Sequence, residues 1–141
     1  MMGFDTERMY QKIAFIKEQV NDIQTLTARK TYQEIFQDKF LVKGLKYALQ
    51  TAIEAMIDIA YHLSVKKYHC APEEARLAFQ VLMGNGVISS DEYTTFSTMV
   101  GLRNRIVHLY QTVSDERLYE YATSELSDFE VFIEKIKALL G

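Results

Sequence analysis

Apolar side chains recur at steps of three and four residues through nearly the whole chain. In the first such segment the recurring residues are Met9, Ile13, Ile16, Val20 and Ile23. This spacing places side chains on one face of an α-helix, whereas a half-buried strand would show alternation. The chain contains one Pro and six Gly among 141 residues, so few positions interrupt a helix. The pattern therefore predicts an all-α protein.

Capping residues and breaks in the apolar stripes predict where five helices begin and end. The approximate predicted spans are residues 5–28, 38–69, 72–84, 91–113 and 114–140, with a short connector at 31–36. Pro72 begins the third helix because proline suits the first helical position. Ser89 or Ser90 caps the fourth, and Ser114 with Asp115 caps the fifth. Short connections between long amphipathic helices favour antiparallel neighbours, so residues 1–141 are expected to form a single domain, an up-and-down bundle of four or five helices.

Charge and composition exclude several functional classes. The net charge of −3 argues against a broad DNA-binding surface, which needs many Lys and Arg contacts to phosphates. Cys70 is the only cysteine, so no intramolecular disulfide is possible and an oxidising compartment is not indicated. The first residues lack the features of a signal peptide, and no stretch resembles a membrane span. A cytoplasmic protein without membrane contact is expected.

Arg103 is out of place in the fourth predicted helix. At about 100° per residue it lies within the apolar face, with Val100 on one side and Ile106 on the other. An unpaired arginine there would be costly. Its stem could carry the charge to the surface, it could pair with a carboxylate such as Glu54 or Asp58, or the helical phase could be misassigned. The remaining interpretation is a functional site.

The residues that follow Arg103 suit phosphate chemistry. A guanidinium group matches a phosphate geometrically and stays charged, and the imidazole of His108 can transfer a proton near neutral pH. Asn104 could orient that imidazole or bind a substrate, and Tyr110 adds a hydroxyl. Arg103 and His108 are separated by about 140° on a helix, so the arginine must bend toward the histidine or the two must meet across a second copy.

These residues resemble a known motif. Arg103-Asn104, followed by His108 and Tyr110, is similar to the R-x4-H-x-Y motif of HepT-like toxins in the HEPN superfamily. The neighbouring Met99-Val100-Gly101-Leu102 and Leu109 also resemble that family. A second block, Leu49 to Ala60, is similar to the family's long second helix, and the helix order agrees over nearly the whole chain.

The resemblance implies a HEPN-like helical bundle that forms a homodimer, with the motifs of two protomers facing one cleft. It implies metal-independent cleavage of RNA without a cofactor, in which a ribose 2′-hydroxyl attacks the adjacent phosphate. His108 would act as general base or acid, Arg103 would stabilise the transition state, and Asn104 would position the histidine or the phosphate. It further implies a nucleotidyltransferase antitoxin as partner, with Tyr110 as a site of adenylylation (AMPylation). RNA affinity would depend on local cations, namely Arg103, Arg105, Lys43 and Lys46.

Two alternatives remain open at the level of sequence. The first is a helical module that binds nucleotides, RNA or a nucleotidyltransferase without cleaving anything. The second is a metal site on the second helix, because Glu54, Asp58 and His62 follow one another at four-residue steps. Carboxylate-bridged bundles, however, also place Glu-x-x-His pairs on other helices, and this chain has none. The metal site is therefore the weaker alternative.

Overall fold

The computed structural model describes residues 5–108 and 112–141, and these residues form helices joined by short connections. No strand occurs in the described part of the chain. The helices are α1 Thr6–Arg29, α2 Tyr32–Phe36, α3 Lys39–Lys66, α4 Ala75–Gly84, α5 Ser90–Val107, α6 Asp115–Ser124 and α7 Ser127–Leu140. The predicted all-α bundle is confirmed, with the short connector forming α2.

Helix α3 lies at the centre of the bundle. It contacts α1, α2, α4 and α5, while α1 also contacts α6 and α7. Leu49, Ile53 and Met56 of α3 are fully buried. Each such side chain contributes about 1.5–3 kcal/mol by leaving water. Helix α3 is therefore the central element against which the neighbouring helices pack.

A cluster of three phenylalanines joins the helices on one side of α3. Phe79 of α4, Phe96 of α5 and Phe132 of α7 have ring centroids 5.4–5.9 Å apart and are fully buried. Two of the three pairs meet edge to face, an arrangement that adds to the gain from burial. This cluster fixes α4 and α5 relative to each other.

Most predicted helix starts are confirmed by cap hydrogen bonds. The Asp5 side chain accepts from the Arg8 N–H at the start of α1, and Asp38 accepts from two backbone N–H groups of α3. Ser89 and Glu92 form a reciprocal capping box on α5. Each cap satisfies backbone donors that the helix itself leaves unpaired.

Helices α3 and α4, the second and third predicted helices, differ from prediction at the C-terminal end of α3 and the N-terminal end of α4. Helix α3 ends at Lys66 rather than near His69, because the Tyr68 and Cys70 N–H groups bond back into its last turn. His69 itself has a left-handed backbone with φ 53°. Helix α4 begins at Ala75 instead of Pro72, with Glu74 as its N-cap residue. The connection is therefore longer than predicted at both ends.

Two predictions for the C-terminal third are wrong. Helix α5 ends at Val107 and not at Val113, because His108 has an extended backbone with φ −80° and ψ 122°. The predicted fifth helix is broken into α6 and α7 near Glu125, whose φ of −122° and ψ of 8° depart from helical values. There the side chain of Glu125 turns back to Arg117 and stabilises the break.

No helix in 5–108 or 112–141 combines the length and the apolar character that crossing a bilayer requires.

Candidate active site between helices α3 and α5

Arg103 is held by side chains of two helices. Its Nε and Nη2 atoms donate to Oε2 of Glu54 on α3, at 3.0 and 2.7 Å. Its Nη1 donates to Oδ1 of Asn104 at 3.2 Å. The Arg103 and Glu54 side chains are 31% and 32% exposed. Pairing with a carboxylate was one of the sequence interpretations, and the structure identifies Glu54 as that partner and not Asp58.

This anchoring leaves the guanidinium able to bind something else. A guanidinium carries five N–H donors, and three bonds of Arg103 are formed within the described residues. The charge-assisted bonds to Glu54 fix the plane of the group without burying it completely. Asn104 therefore orients the arginine directly, which is a different contact from the predicted one to the imidazole of His108.

Arg103 and Asn104 border a cavity between α3, α4 and α5. Its volume is about 510 Å³, and Glu54, Asp58 and Arg76 also line it. A cavity of this size is in the range that holds a small ligand. Polar and charged groups converge on it, so the chemistry it suits is recognition of a charged, hydrogen-bonding ligand.

Arg76 is a cavity residue that the sequence reasoning missed. It lies on α4, and its Nη2 donates to the carbonyl oxygen of Ser97 on α5 at 3.2 Å. A Cβ added to Gly101 would lie 3.0 Å from that same Nη2 atom. A glycine inside a predicted helix, where it lowers helix stability, was the available signal that another group approaches α5 closely.

The other residues of the motif lie at or beyond the end of α5. His108 is exposed and is the first residue after the helix, and its N–H donates to the Asn104 carbonyl oxygen at 3.0 Å. It is not among the described residues that line the cavity. Arg105 is exposed, as expected for the polar face. Tyr110 lies outside the described residues. The structure thus brings Arg103 and Asn104 together, with His108 one turn away.

The three residues of the alternative metal site have different partners. Glu54 binds Arg103, and Oδ2 of Asp58 accepts from Nζ of Lys12 at 2.9 Å. Nε2 of His62 accepts from the Asp5 N–H at 3.0 Å. Burial lowers the pKa of His62, with Arg8 and Lys66 acting in the same direction. Across 5–108 and 112–141 no group of three such side chains converges as metal ligands would.

Comparison with known proteins gives matches over most of the chain. The family model described as "Ribonuclease HepT-like" matches residues 16–136. The mRNA nuclease HepT of Shewanella oneidensis is 35% identical over 127 residues, which cover 90% of this chain and 94% of that protein.

Solved structures give the same result. A tri-AMPylated Shewanella oneidensis HEPN toxin in complex with MNT antitoxin aligns with a TM-score of 0.85 and 34% identity, covering 93% of this chain and 97% of that one. A toxin–antitoxin crystal structure with AMP-PNP aligns at 0.84 with 32% identity, covering 94% and 98%. With a matching family model, a similar sequence and a similar fold, the chain belongs to the HepT-like ribonuclease family of the HEPN superfamily.

Proposed function

We propose that this protein is an endoribonuclease toxin of a toxin–antitoxin pair and that it cleaves RNA as a homodimer without a metal ion. The observation that carries the proposal is the half-buried Arg103, fixed by Glu54 and Asn104 at the wall of a polar cavity. A preorganised guanidinium of this kind stabilises negative charge that develops on a phosphate. The family membership supports RNA as the substrate.

The reaction requires groups that the motif supplies. The ribose 2′-oxygen forms a bond to phosphorus while the bond from phosphorus to the 5′-oxygen breaks, leaving a cyclic phosphate and a free 5′-hydroxyl. His108 accepts the proton of the 2′-hydroxyl or donates one to the departing 5′-oxygen. Arg103 binds the non-bridging oxygens, whose charge grows in the transition state, and Asn104 holds the arginine in position.

The separation of these groups supports a homodimer. Arg103 lies on α5, whereas His108 is exposed just beyond the end of that helix. Two α5 ends brought together by a dyad would place two histidines and two arginines around one phosphate. One histidine would then act as base and the other as acid.

The antitoxin partner would act on the same segment. A minimal nucleotidyltransferase would transfer AMP from ATP to the hydroxyl of Tyr110 and release pyrophosphate. Tyr110 is two residues from His108 in the sequence, so the added phosphates would compete with RNA for Arg103. Support comes from the relative whose structure is described as a tri-AMPylated toxin with its antitoxin.

The catalytic assignment is tested with Arg103→Ala and His108→Ala, assayed on labelled RNA in EDTA. We expect each variant to lose about 100-fold or more in cleavage rate. Arg117→Ala is the matched control, because Arg117 is 27% exposed, pairs with Glu125 and lies outside the cavity. Light scattering checks the dimer. If both variants fold, dimerise and cleave like the parent, the assignment is wrong.

The regulatory step is tested by co-expression with the nucleotidyltransferase and mass spectrometry of the purified toxin. We expect AMP on Tyr110, and no modification at that position in Tyr110→Phe. Modification of other residues only, with cleavage still suppressed, would contradict this role of Tyr110 while leaving the ribonuclease assignment intact.

A further inference from the structure

Two aromatic rings project from the first half of α3 into solvent. Phe40 is 73% exposed and Tyr47 is 63% exposed, more than any other large hydrophobic residue in the described part of the chain. Seven residues separate them, so they differ by only about 20° around the helix and lie about 10 Å apart along it. Single exposed apolar side chains are common, but two aligned rings form a surface. We name Phe40, Gly44 and Tyr47 the aromatic stripe.

The aromatic stripe leads to the candidate active site. Glu54, which binds Arg103, follows Tyr47 by another seven residues on the same helix. It therefore continues the line of the two rings with a further offset of about 20°, about 10 Å beyond Tyr47. A ligand extended along α3 from Phe40 would reach the Arg103 cavity after passing both rings.

Lysines flank the aromatic stripe on one side. Lys39, Lys43 and Lys46 lie about 60–120° around the helix from Phe40, all in the same direction. No acidic residue occurs between residues 39 and 53, although the whole chain carries a net charge of −3. None of the ion pairs formed between described residues includes these lysines. Nζ of Lys43 lies 5.7 Å from the centroid of the Phe40 ring.

Gly44 lies between Phe40 and Tyr47 along the helix and leaves its backbone uncovered there. A Cβ added there would meet no atom within 4 Å, so packing within the described chain does not require a glycine. Glycine in a helix interior lowers helix stability relative to alanine. The residue is explained if an external group approaches the backbone between Phe40 and Tyr47.

We propose that the aromatic stripe and its three lysines bind single-stranded RNA and guide it to Arg103. The inference rests on the proposed ribonuclease function and adds how that substrate is recognised. Unpaired bases stack on exposed aromatic rings, whereas bases in a duplex are already stacked on each other. Bases on the rings would place phosphates beside the lysines. A symmetric contact with a second copy in which the two α3 helices run antiparallel is disfavoured, because it would bring lysines against lysines.

The first experiment measures binding separately from cleavage. The probe is a fluorescent, unstructured RNA oligonucleotide whose 2′-hydroxyls are all methylated, so that the attacking group is absent. We expect Phe40→Ala/Tyr47→Ala to bind it at least about 10-fold more weakly than the parent. Tyr10→Ala/Val131→Ala is the control, because both residues are exposed hydrophobics outside the aromatic stripe, at 42% and 40%.

The second experiment measures the dependence of binding on salt. Lys43→Gln/Lys46→Gln removes two cations, so the slope of log affinity against log salt should fall by about 1.4. Lys135→Gln/Lys137→Gln is the control for charge and exposure, since each pair has one exposed and one half-buried lysine, although Lys135, unlike the lysines beside the aromatic stripe, pairs with Glu92 among the described residues. The control slope should equal that of the parent.

The outcomes separate this inference from the proposed function. If the parent cleaves unmodified RNA in EDTA and Phe40→Ala/Tyr47→Ala binds and cleaves equally well, the inference is overturned and the ribonuclease stands. If the parent binds the oligonucleotide through the aromatic stripe but cleaves no RNA, the proposed ribonuclease activity is wrong and the binding role of the stripe stands. If Phe40→Ala/Tyr47→Ala no longer dimerises, or no longer binds the nucleotidyltransferase, while its RNA affinity is unchanged, the aromatic stripe contacts a protein partner. That result would overturn the inference.

Discussion

Glu54 offers the sharpest test of how the site is positioned, because it accepts two of the hydrogen bonds that orient Arg103. Glu54→Gln keeps the shape of the side chain and one oxygen that can accept both bonds, but it removes the charge. Glu54→Ala removes the acceptor. If Glu54 acts by orienting Arg103, the glutamine variant should retain much of the activity that the alanine variant loses.

The expected magnitude follows from the exposure of the pair. Fully exposed ion pairs contribute about 0.2–1 kcal/mol, and hydrogen bonds to charged groups contribute about 1.5–3 kcal/mol each when buried. Arg103 and Glu54 are each about one-third exposed. We therefore expect Glu54→Gln to lower the free energy of unfolding by about 1 kcal/mol, close to 3 °C in melting temperature. Glu54→Ala should cost about 2 kcal/mol.

The assay must separate binding from the chemical step. We expect Glu54→Ala to lower kcat about 10-fold or more, since small displacements of an active-site group carry penalties of this order. The affinity for RNA should not weaken, because Arg103 loses the carboxylate that partly neutralises it. A general loosening of the fold would instead weaken binding and catalysis together.

A second ion pair provides the control. Arg117 and Glu125 have side chains 27% and 31% exposed, nearly the same as Arg103 and Glu54, and they lie outside the cavity. Glu125→Gln should lower the melting temperature by a similar amount and leave kcat unchanged. If Glu54→Ala lowers stability while kcat remains that of the parent, the proposed orienting role of Glu54 is refuted.

Three further substitutions test the electrostatics and caps of the bundle. Burial, and to a lesser degree Glu125, raises the pKa of Asp128. The ionised carboxylate therefore destabilises the folded state as the pH rises above 3.8. Asp128→Asn should raise the melting temperature at pH 7 but not near pH 3. His62 has a lowered pKa, and its neutral ring accepts a hydrogen bond from the Asp5 N–H. The free energy of unfolding should therefore fall as the pH drops below about 6.5, because the unfolded state takes up the proton first. Denaturant titrations of His62→Gln should show no such dependence. Ser89→Ala should cost about 1 kcal/mol in the same titrations, because it removes the α5 cap; no change would contradict the capping box.

Sequence reasoning succeeded where the determinants are local. The apolar face of α1, the start of α3 near Asp38 and the Ser89 cap of α5 depend on neighbours a few positions away, and they are confirmed. The end of α5 was missed because apolar residues continue past it, so periodicity alone predicted a helix to Val113. The break before α7 is accompanied by a contact between Glu125 and Arg117, eight residues apart, which no helical periodicity predicts.

The candidate site, like the fold, could be predicted from the sequence only in part. Arg103 was identified because a cation in an apolar stripe needs a partner, and Glu54 was among the partners considered. Arg76 was not identified, since it comes from another helix and reaches the cavity only through tertiary packing. The expectation that Asn104 could orient the imidazole of His108 assumed a continuous helix, and the extended backbone at His108 changes the direction of its side chain.

Gly101 links the stability of α5 to the position of a charge. Alanine there would favour the helix by about 1 kcal/mol, and, among the described residues outside the local helix, its methyl group would meet the flexible end of Arg76. The fold itself would therefore tolerate, and even gain from, the larger residue. Glycine at this position lowers the stability of α5 and lets the guanidinium of Arg76 lie against the helix that carries Arg103. Under the proposed function, Gly101 trades helix stability for the position of Arg76, and a variant selected for heat resistance alone would be expected to replace this glycine.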